Sequence, residues 1–448
     1  MNNSRGAVLG WLIVFVLFSW VLYWAVPDRE GHRELDSGEY ERVAYNYRET
    51  GYLFHPDTPW VMPSHTIGYH WFLAMVYRVF GNNLIVLMFL QILLGLLCCW
   101  LVYLVAFKLF DSSVAVVALA GASCNLGFLV YSQLLMAEIL MLTFLLGFLF
   151  MFVSFVQEQV LSKLFFAAFL LSISVIIKPV ALYYVFPMMV FIGWRTHGTL
   201  RIKMIACIVF ACSFYMPLLG YMAYNHSMYG IFAVTTLVKE NLYIYFLPRR
   251  ILPRLENALQ VHYNKQIEAC SSFQERMHVS GEIFNILLKS RPHLFCFAWT
   301  ESMVKVFFGL YSTQLKGMFN ATIKGGSCSF FNMPGANAFR RLYEYAVFGA
   351  NNTLLKVIAC IELVWLLLRY LLIVFAFFIL LQTHEYFWTM FFSSYVGYFA
   401  FVAGHDGGGR YRMMFESILI VLAAFALIVL YRMICKNLSQ SKVKQIHA

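Results

Sequence analysis

"LIVLMFLQILLGLLCCWLVYLVAF", Leu84–Phe107, carries no charged residue from end to end. As an α-helix rising 1.5 Å per residue it reaches about 36 Å, more than the ~30 Å hydrocarbon core of a bilayer. Its apolar residues run on without alternation, which excludes a β-barrel strand and selects a membrane-spanning helix. Similar runs recur at Ala7–Pro27, Val114–Tyr131, Leu135–Val156, Phe165–Ile177, Val180–Trp194, Met204–Tyr224, Thr353–Leu381, Tyr386–Gly404 and Met413–Ile434. The fold class predicted is an all-α polytopic membrane protein with about ten transmembrane helices. Composition agrees: 61% of the 448 residues are hydrophobic and only 12% charged, about half the charge of a soluble domain. The net charge of +11 fits basic cytoplasmic loops and anionic lipids rather than nucleic acid.

Two places leave the count open. Lys178-Pro179 divides Phe165–Trp194 either as a kink or as a turn, and Arg369 in Thr353–Leu381 marks one helix or two. Ala7–Pro27 follows Arg5, lacks a small-x-small cleavage site and reads as an uncleaved anchor. Lys108; Lys163; Arg195, Arg201 and Lys203; and Arg432, Lys436, Lys442 and Lys444 alternate as a cytoplasmic side requires. Both termini are then inside, and the Asp36 loop, Asn225–Asn352 and His405–Arg412 share the outer face. The expected division is residues 1–224 as an N-terminal transmembrane module with a catalytic first outer loop at 28–66. Residues 225–352 follow as an extracytoplasmic or interfacial region, and 353–448 as C-terminal helices with a basic tail. Within the middle region Ile283–Tyr311 is apolar enough to lie in the interface, and Gly325-Gly326 and Pro334-Gly335 mark turns.

The ten cysteines show no metal-binding spacing, and most read as small hydrophobes. Cys270 and Cys328 pair only if their loop is extracytoplasmic. The sequons at Asn320 and Asn351 carry weight only in a eukaryotic secretory setting, which nothing else demands. A bacterial inner membrane is the expected location, with the site facing the periplasm or exterior.

"LDSGEYERVAYNYRETGYLF", Leu35–Phe54, follows the first span. Tyr40, Val43, Ala44 and Tyr47 fall on one helical face, and Asp36, one turn before Tyr40, shares it. Glu39 is one residue off that line. Asp36 is therefore either a first-turn or N-cap acid favoured by the helix dipole, or an acid aimed at the bundle. "YLFHPDTPWVMPSHTIGYHWFLAMVYRVFG" (Tyr52–Gly81) comes next, and "HDGGGRYRMM" places Arg410, Tyr411 and Arg412 at the outer mouth of the last span. Those arginines either flank a span or hold an anion. Lys178 lies in an apolar segment and either faces an interior partner, such as a phosphate or Glu138, or snorkels to an interface.

One span, an outer loop opening with Asp, the GY-x-x-FLA-x-x-Y-x-x-FG run and a later RYR before the final helix occur here in that order. The order resembles the GT-C membrane glycosyltransferases, in particular the bacterial relatives of protein O-mannosyltransferases and the lipid A aminoarabinose transferase. "SQLLMAEILM" with Glu138, "IIKPVAL", and "YNHSMYGIFAVTTLVKENLY" agree. The likeness covers Ala7 to about Tyr243 and Tyr386 to Ile434.

The resemblance implies a GT-C fold and inverting transfer of a sugar from a polyprenyl-phosphate donor on the extracytoplasmic face. It implies a glycan or lipid-linked acceptor and membrane lipids as partners, and no nucleic acid. Asp36 matches the family's first-loop acid, the general base that takes the acceptor's proton, with Glu39 in reserve. Arg410 and Arg412, with Lys178, would bind the donor phosphate and its growing charge. His65, Tyr69, Glu138 and Tyr411 are further site candidates. Ser64-His65-Thr66-Ile67 stands where many relatives carry Pro-Pro or a Lys/Arg before the Gly-Tyr, so His65 or His70 is either a substitute cation or a structural ring. No acidic cluster calls for a divalent metal, and no cofactor is expected. The alternatives are a lipid-linked glycan transporter or flippase, or an O-antigen polymerase or ligase. Arg369, Glu362 and Glu138 within spans favour the first, while the lack of matched halves opposes it.

Overall fold

The computed structural model describes residues 2–34, 36–53, 65–320, 333, 338–347 and 353–446, and among them the chain forms helices and no strand. Among the described residues six helices are long and apolar enough to cross a membrane: Arg5–Ala25, Leu84–Leu109, Glu138–Glu158, Leu200–Tyr229, Thr353–Gln382 and Gly409–Lys436. A seventh is added if Pro292–Phe308 and Ser312–Phe319, bent by 73°, form one span. The protein is an integral membrane protein.

The other expected spans are shorter helices. Val114–Tyr131 is divided into Ser112–Ser123 and Leu126–Tyr131. Asn125 sits at the break, its Oδ1 accepting from the Phe128 amide at 3.1 Å and so capping the second piece. Leu161–Ile177 ends at Lys178, whose backbone is extended (φ −151°, ψ 122°), the region a residue before proline favours. Lys178-Pro179 is therefore a break and not a kink. Thr353–Gln382, by contrast, is one helix straight through Arg369.

Glu138–Glu158 is the most enclosed of the spans, with 78% of its apolar window buried against 11% for the first helix. It packs on Leu84–Leu109 and Leu161–Ile177, while the last helix packs on Thr353–Gln382 and Ser112–Ser123. Outside this bundle, Phe246, Leu247, Ile251, Ile283, Phe284 and Phe295 close a separate apolar core. Part of Ile283–Tyr311 is thus buried in protein. Trp299 Nε1 donates to the Phe401 carbonyl at 2.9 Å, seating this outer layer on the end of Tyr386–Val402. Where it meets the last span two backbones touch, since a Cβ on Gly309 would lie 2.6 Å from Gly409 Cα.

Cys328 and its pairing with Cys270, the Gly325-Gly326 and Pro334-Gly335 turns and the complete sequons lie outside the described residues.

Candidate active site

The helix Ser37–Thr50 starts immediately after Asp36, yet the Asp36 side chain makes no capping hydrogen bond. Its carboxylate leaves the helix and meets Arg410 Nη1 at 2.9 Å. The helix is held so that it points this way. Tyr40, Val43 and Ala44 are buried, and Ser37 Oγ donates to the Leu135 carbonyl at 2.8 Å. Glu41 accepts from Arg33 Nε at 2.7 Å and from the Tyr77 hydroxyl at 3.1 Å, tying Ser37–Thr50 to Ile67–Phe80. Gly68 lets that second helix abut Leu161–Ile177, because a Cβ there would lie 2.8 Å from the Ile176 carbonyl oxygen.

His65 bridges the two acids. Its Nδ1 is 3.0 Å from Glu39 Oε2, and its Nε2 is 3.7 Å from Asp36 Oδ2. Burial alone would lower the imidazole's pKa, but hydrogen bonds to Asp36 and Glu39 outweigh it and raise the value to about 9. Burial would likewise push Asp36 up, but the Arg410 charge and His65 hold it well below the ordinary carboxylate range. Glu39 is also lowered: burial opposes, and the hydrogen bond from His65 prevails. At neutral pH the mouth thus holds two carboxylates, an imidazolium and a guanidinium.

Arg410 is shared further. Its Nη2 donates to the Tyr411 hydroxyl at 3.1 Å and lies 3.5 Å from Asp406 Oδ2. Behind Tyr411, Lys178 Nζ sits 5.7 Å from the ring centroid and pairs with Glu138 Oε1 at 2.5 Å. The Glu138 Oε2 atom is buried without a hydrogen-bond partner among the described residues.

Three candidates stand apart from Asp36. Tyr69 is fully buried, donates to Gln91 Oε1 at 2.7 Å and packs edge-on against Tyr40. His70 Nδ1 bonds the Thr66 carbonyl at 3.0 Å. Arg412 is 1% exposed; its Nε donates to Glu416 Oε2 at 2.9 Å and its Nη1 to the Phe307 and Gly309 carbonyls at 2.8 and 2.6 Å. The Gly407-Gly408-Gly409 run serves this packing: Gly407 has φ +75°, and a Cβ on it would lie 2.9 Å from Ser302 Cα.

Asp406 and Arg250 were not singled out from the sequence. Asp406 was within reach, one helical turn before Arg410. Arg250 donates to the Asp406 carbonyl at 2.9 Å from 156 residues away, and no local pattern signals it. Among the described residues no group of three or more His, Cys, Asp or Glu side chains is arranged to hold a metal.

The helical order and the geometry at the mouth of the bundle can be set beside known proteins. The structure superposes on the archaeal oligosaccharyltransferase AglB from Archaeoglobus fulgidus, solved with an inhibitory peptide and a dolichol-phosphate. Identity is 15%, coverage is 97% of this chain and 52% of that one, and the TM-score is 0.51. The fold is GT-C.

Residues 64–221 match the family model for dolichyl-phosphate-mannose-protein mannosyltransferase. They include His65, Tyr69, Glu138 and Lys178, and leave Asp36 and Arg410 outside. An Archaeoglobus fulgidus oligosaccharyltransferase in complex with Zn and sulfate matches at 14% identity over 99% of this chain and 51% of that one, TM-score 0.51. ArnT from Cupriavidus metallidurans, bound to undecaprenyl phosphate, gives 13% identity, 94% and 78% coverage and a TM-score of 0.35. The chain spans about half the length of the oligosaccharyltransferase. Comparison with curated protein sequences gives no match. The GT-C resemblance read from the order of the sequence features stands.

Proposed function

We propose that the protein is an inverting glycosyltransferase that moves a sugar from a polyprenyl-phosphate donor to an envelope glycan or lipid acceptor. The Asp36–Arg410 ion pair carries this reading, because it brings an acid and an exchangeable cation together at the mouth of the bundle. The family model, described by a lipid-phosphate-linked mannose donor, and the dolichol-phosphate in the AglB structure support the donor class. The reading places the mouth on the extracytoplasmic side of a bacterial inner membrane, with residues 28–66 and 225–352 over it.

In this mechanism the donor phosphate draws Arg410 away from Asp36. The loss of that neighbouring charge lets the Asp36 pKa rise toward a useful base. The acceptor hydroxyl gives its proton to Asp36 while its oxygen bonds to the anomeric carbon. The bond from that carbon to the phosphate oxygen breaks, and its electron pair stays on the phosphate. Arg410 and the His65 imidazolium stabilise the charge that develops there. Lys178 and Glu138 position Tyr411 and, through it, Arg410, and Arg412 holds the turn on which Arg410 stands. Glu39 keeps His65 protonated and is the reserve base.

The test is mass spectrometry of envelope glycans and lipids from cells with the protein, without it, and with Asp36→Asn. A hexose or pentose lost in the last two, with protein levels equal, is the expected result. An unchanged product in Asp36→Asn membranes removes Asp36 as the base.

A further inference from the structure

The outer layer brings one element to the mouth of the bundle. Asn241–Ile251 forms a π-helix, and Arg250 fastens it there by donating to the Asp406 carbonyl at 2.9 Å. Its inward face is apolar. Phe246, Leu247 and Ile251 are fully buried, and the Phe246 ring meets Trp299 edge-on with centroids 5.3 Å apart. Its outward face carries Tyr245, 44% exposed, and Arg249, whose guanidinium carbon lies 5.1 Å from the centre of the Tyr245 ring. A packed core thus holds this pair in place.

The pair stands close to the acids of the candidate site. Burial raises the Tyr245 pKa, the Glu240 charge adds to it and Arg249 opposes it, and Asp36 and Glu39 raise it further. The Tyr245 hydroxyl is therefore within electrostatic reach of Asp36 and Glu39. The three arginines of this stretch differ in what they hold. Arg250 is committed to the Asp406 carbonyl and Arg254 to Glu301. Arg249 is exposed, touches the Tyr245 ring and forms no ion pair among the described residues. In the proposed mechanism the donor phosphate already meets Arg410 and His65. A further cation beside an open aromatic ring suits a second ligand. The C–H face of a sugar lies on the negative face of such a ring, and an anionic group on that sugar takes a charge-assisted hydrogen bond from the guanidinium.

We propose that Tyr245 and Arg249 form the acceptor subsite and that the acceptor is an anionic glycan, its sugar ring stacked on Tyr245 and its carboxylate or phosphate held by Arg249. The inference rests on the reading of Asp36 as the base, since the accepting hydroxyl must reach Asp36 while the rest of the acceptor extends outward.

The test reads binding without turnover. The purified full chain in detergent micelles is titrated with methyl β-glucuronide, a phosphorylated methyl β-glucoside and the neutral methyl β-glucoside, followed by saturation-transfer difference NMR. An anionic glycoside should bind about tenfold more tightly than the neutral one, the effect of one charge-assisted hydrogen bond. Which of the two anions prevails tells carboxylate from phosphate. Arg249→Gln should abolish the preference, and Tyr245→Leu should weaken all the glycosides. Equal binding of neutral and anionic glycosides overturns the proposal, as does a preference that survives Arg249→Gln. Loss of undecaprenyl phosphate binding in Arg249→Gln also overturns it and makes Arg249 a donor contact. If Asp36→Asn is fully active while the preference stands, the base assignment fails and the anionic subsite does not.

Discussion

Arg410 and Arg412 stand two residues apart on the same short turn and have opposite environments. The Arg410 side chain is 27% exposed and shares its nitrogens among Asp36, Asp406 and Tyr411. The Arg412 side chain is 1% exposed and bonded to Glu416 and two carbonyls, with Glu362 at 3.8 Å. A saturated buried charge is costly to disturb and has nothing left to offer a ligand. A partly exposed charge with loose partners exchanges one anion for another at small cost. At the mouth of this bundle, the proposed chemistry and the architecture are separated by saturation and not by residue type.

Substitutions test that separation. Asp36→Asn is expected to slow sugar transfer about 10²–10⁴-fold, the range for losing a general base, with unchanged folded yield; initial rates in isolated membranes measure it. Arg412→Met leaves Glu416 and Glu362 with less countercharge and should cost about 3–5 kcal/mol of stability, read as a lower thermal midpoint in detergent. Arg410→Lys keeps the charge but loses the fork, and should lower transfer at least about tenfold while the midpoint stays put. If Arg410→Lys unfolds the protein and Arg412→Met does not, the two roles are reversed.

His65 supplies a pH test. Its folded-state pKa of about 9 lies above the ordinary 6.5, so folding favours its protonated form. The stabilisation it gives is fully present below about pH 6.5 and is lost as pH rises through about 9. The midpoint difference between the unmodified protein and His65→Gln should therefore shrink across that window. A constant difference would mean that the imidazolium is not held by Asp36 and Glu39. The smallest effect is expected for Glu39→Gln, within about tenfold in rate, with the pH dependence moved to lower pH as His65 loses one acid.

Much of this was legible in the sequence where the signal is local. Leu84–Phe107 declares a span because nothing interrupts it, and helical phase put Asp36 with Tyr40. Val114–Tyr131 misled because hydropathy averages over Asn125, whose capping bond divides the run. The contact between Asp36 and Arg410 crosses 374 residues, and only a shared outer face hinted at it. Arg412 read as a twin of Arg410 because saturation depends on Glu362, Glu416 and the Phe307 and Gly309 carbonyls, none of them marked in the RYR motif. Glu41, two residues from Glu39, is the acid that ties two helices together, a difference that only its partners Arg33 and Tyr77 reveal.

The 374-residue separation also orders events during synthesis. Asp36 and its helix find Tyr77 and Leu135 early, whereas Arg410 arrives only with the last span. At 5–20 residues per second the interval is roughly 20 to 75 s. During it Asp36 exists without its guanidinium, so a nascent chain displays half of the proposed site. In the proposed mechanism, membrane insertion of the final helix is thus the step that would switch the protein on, and a lesion delaying that insertion would silence it while leaving residue 36 untouched.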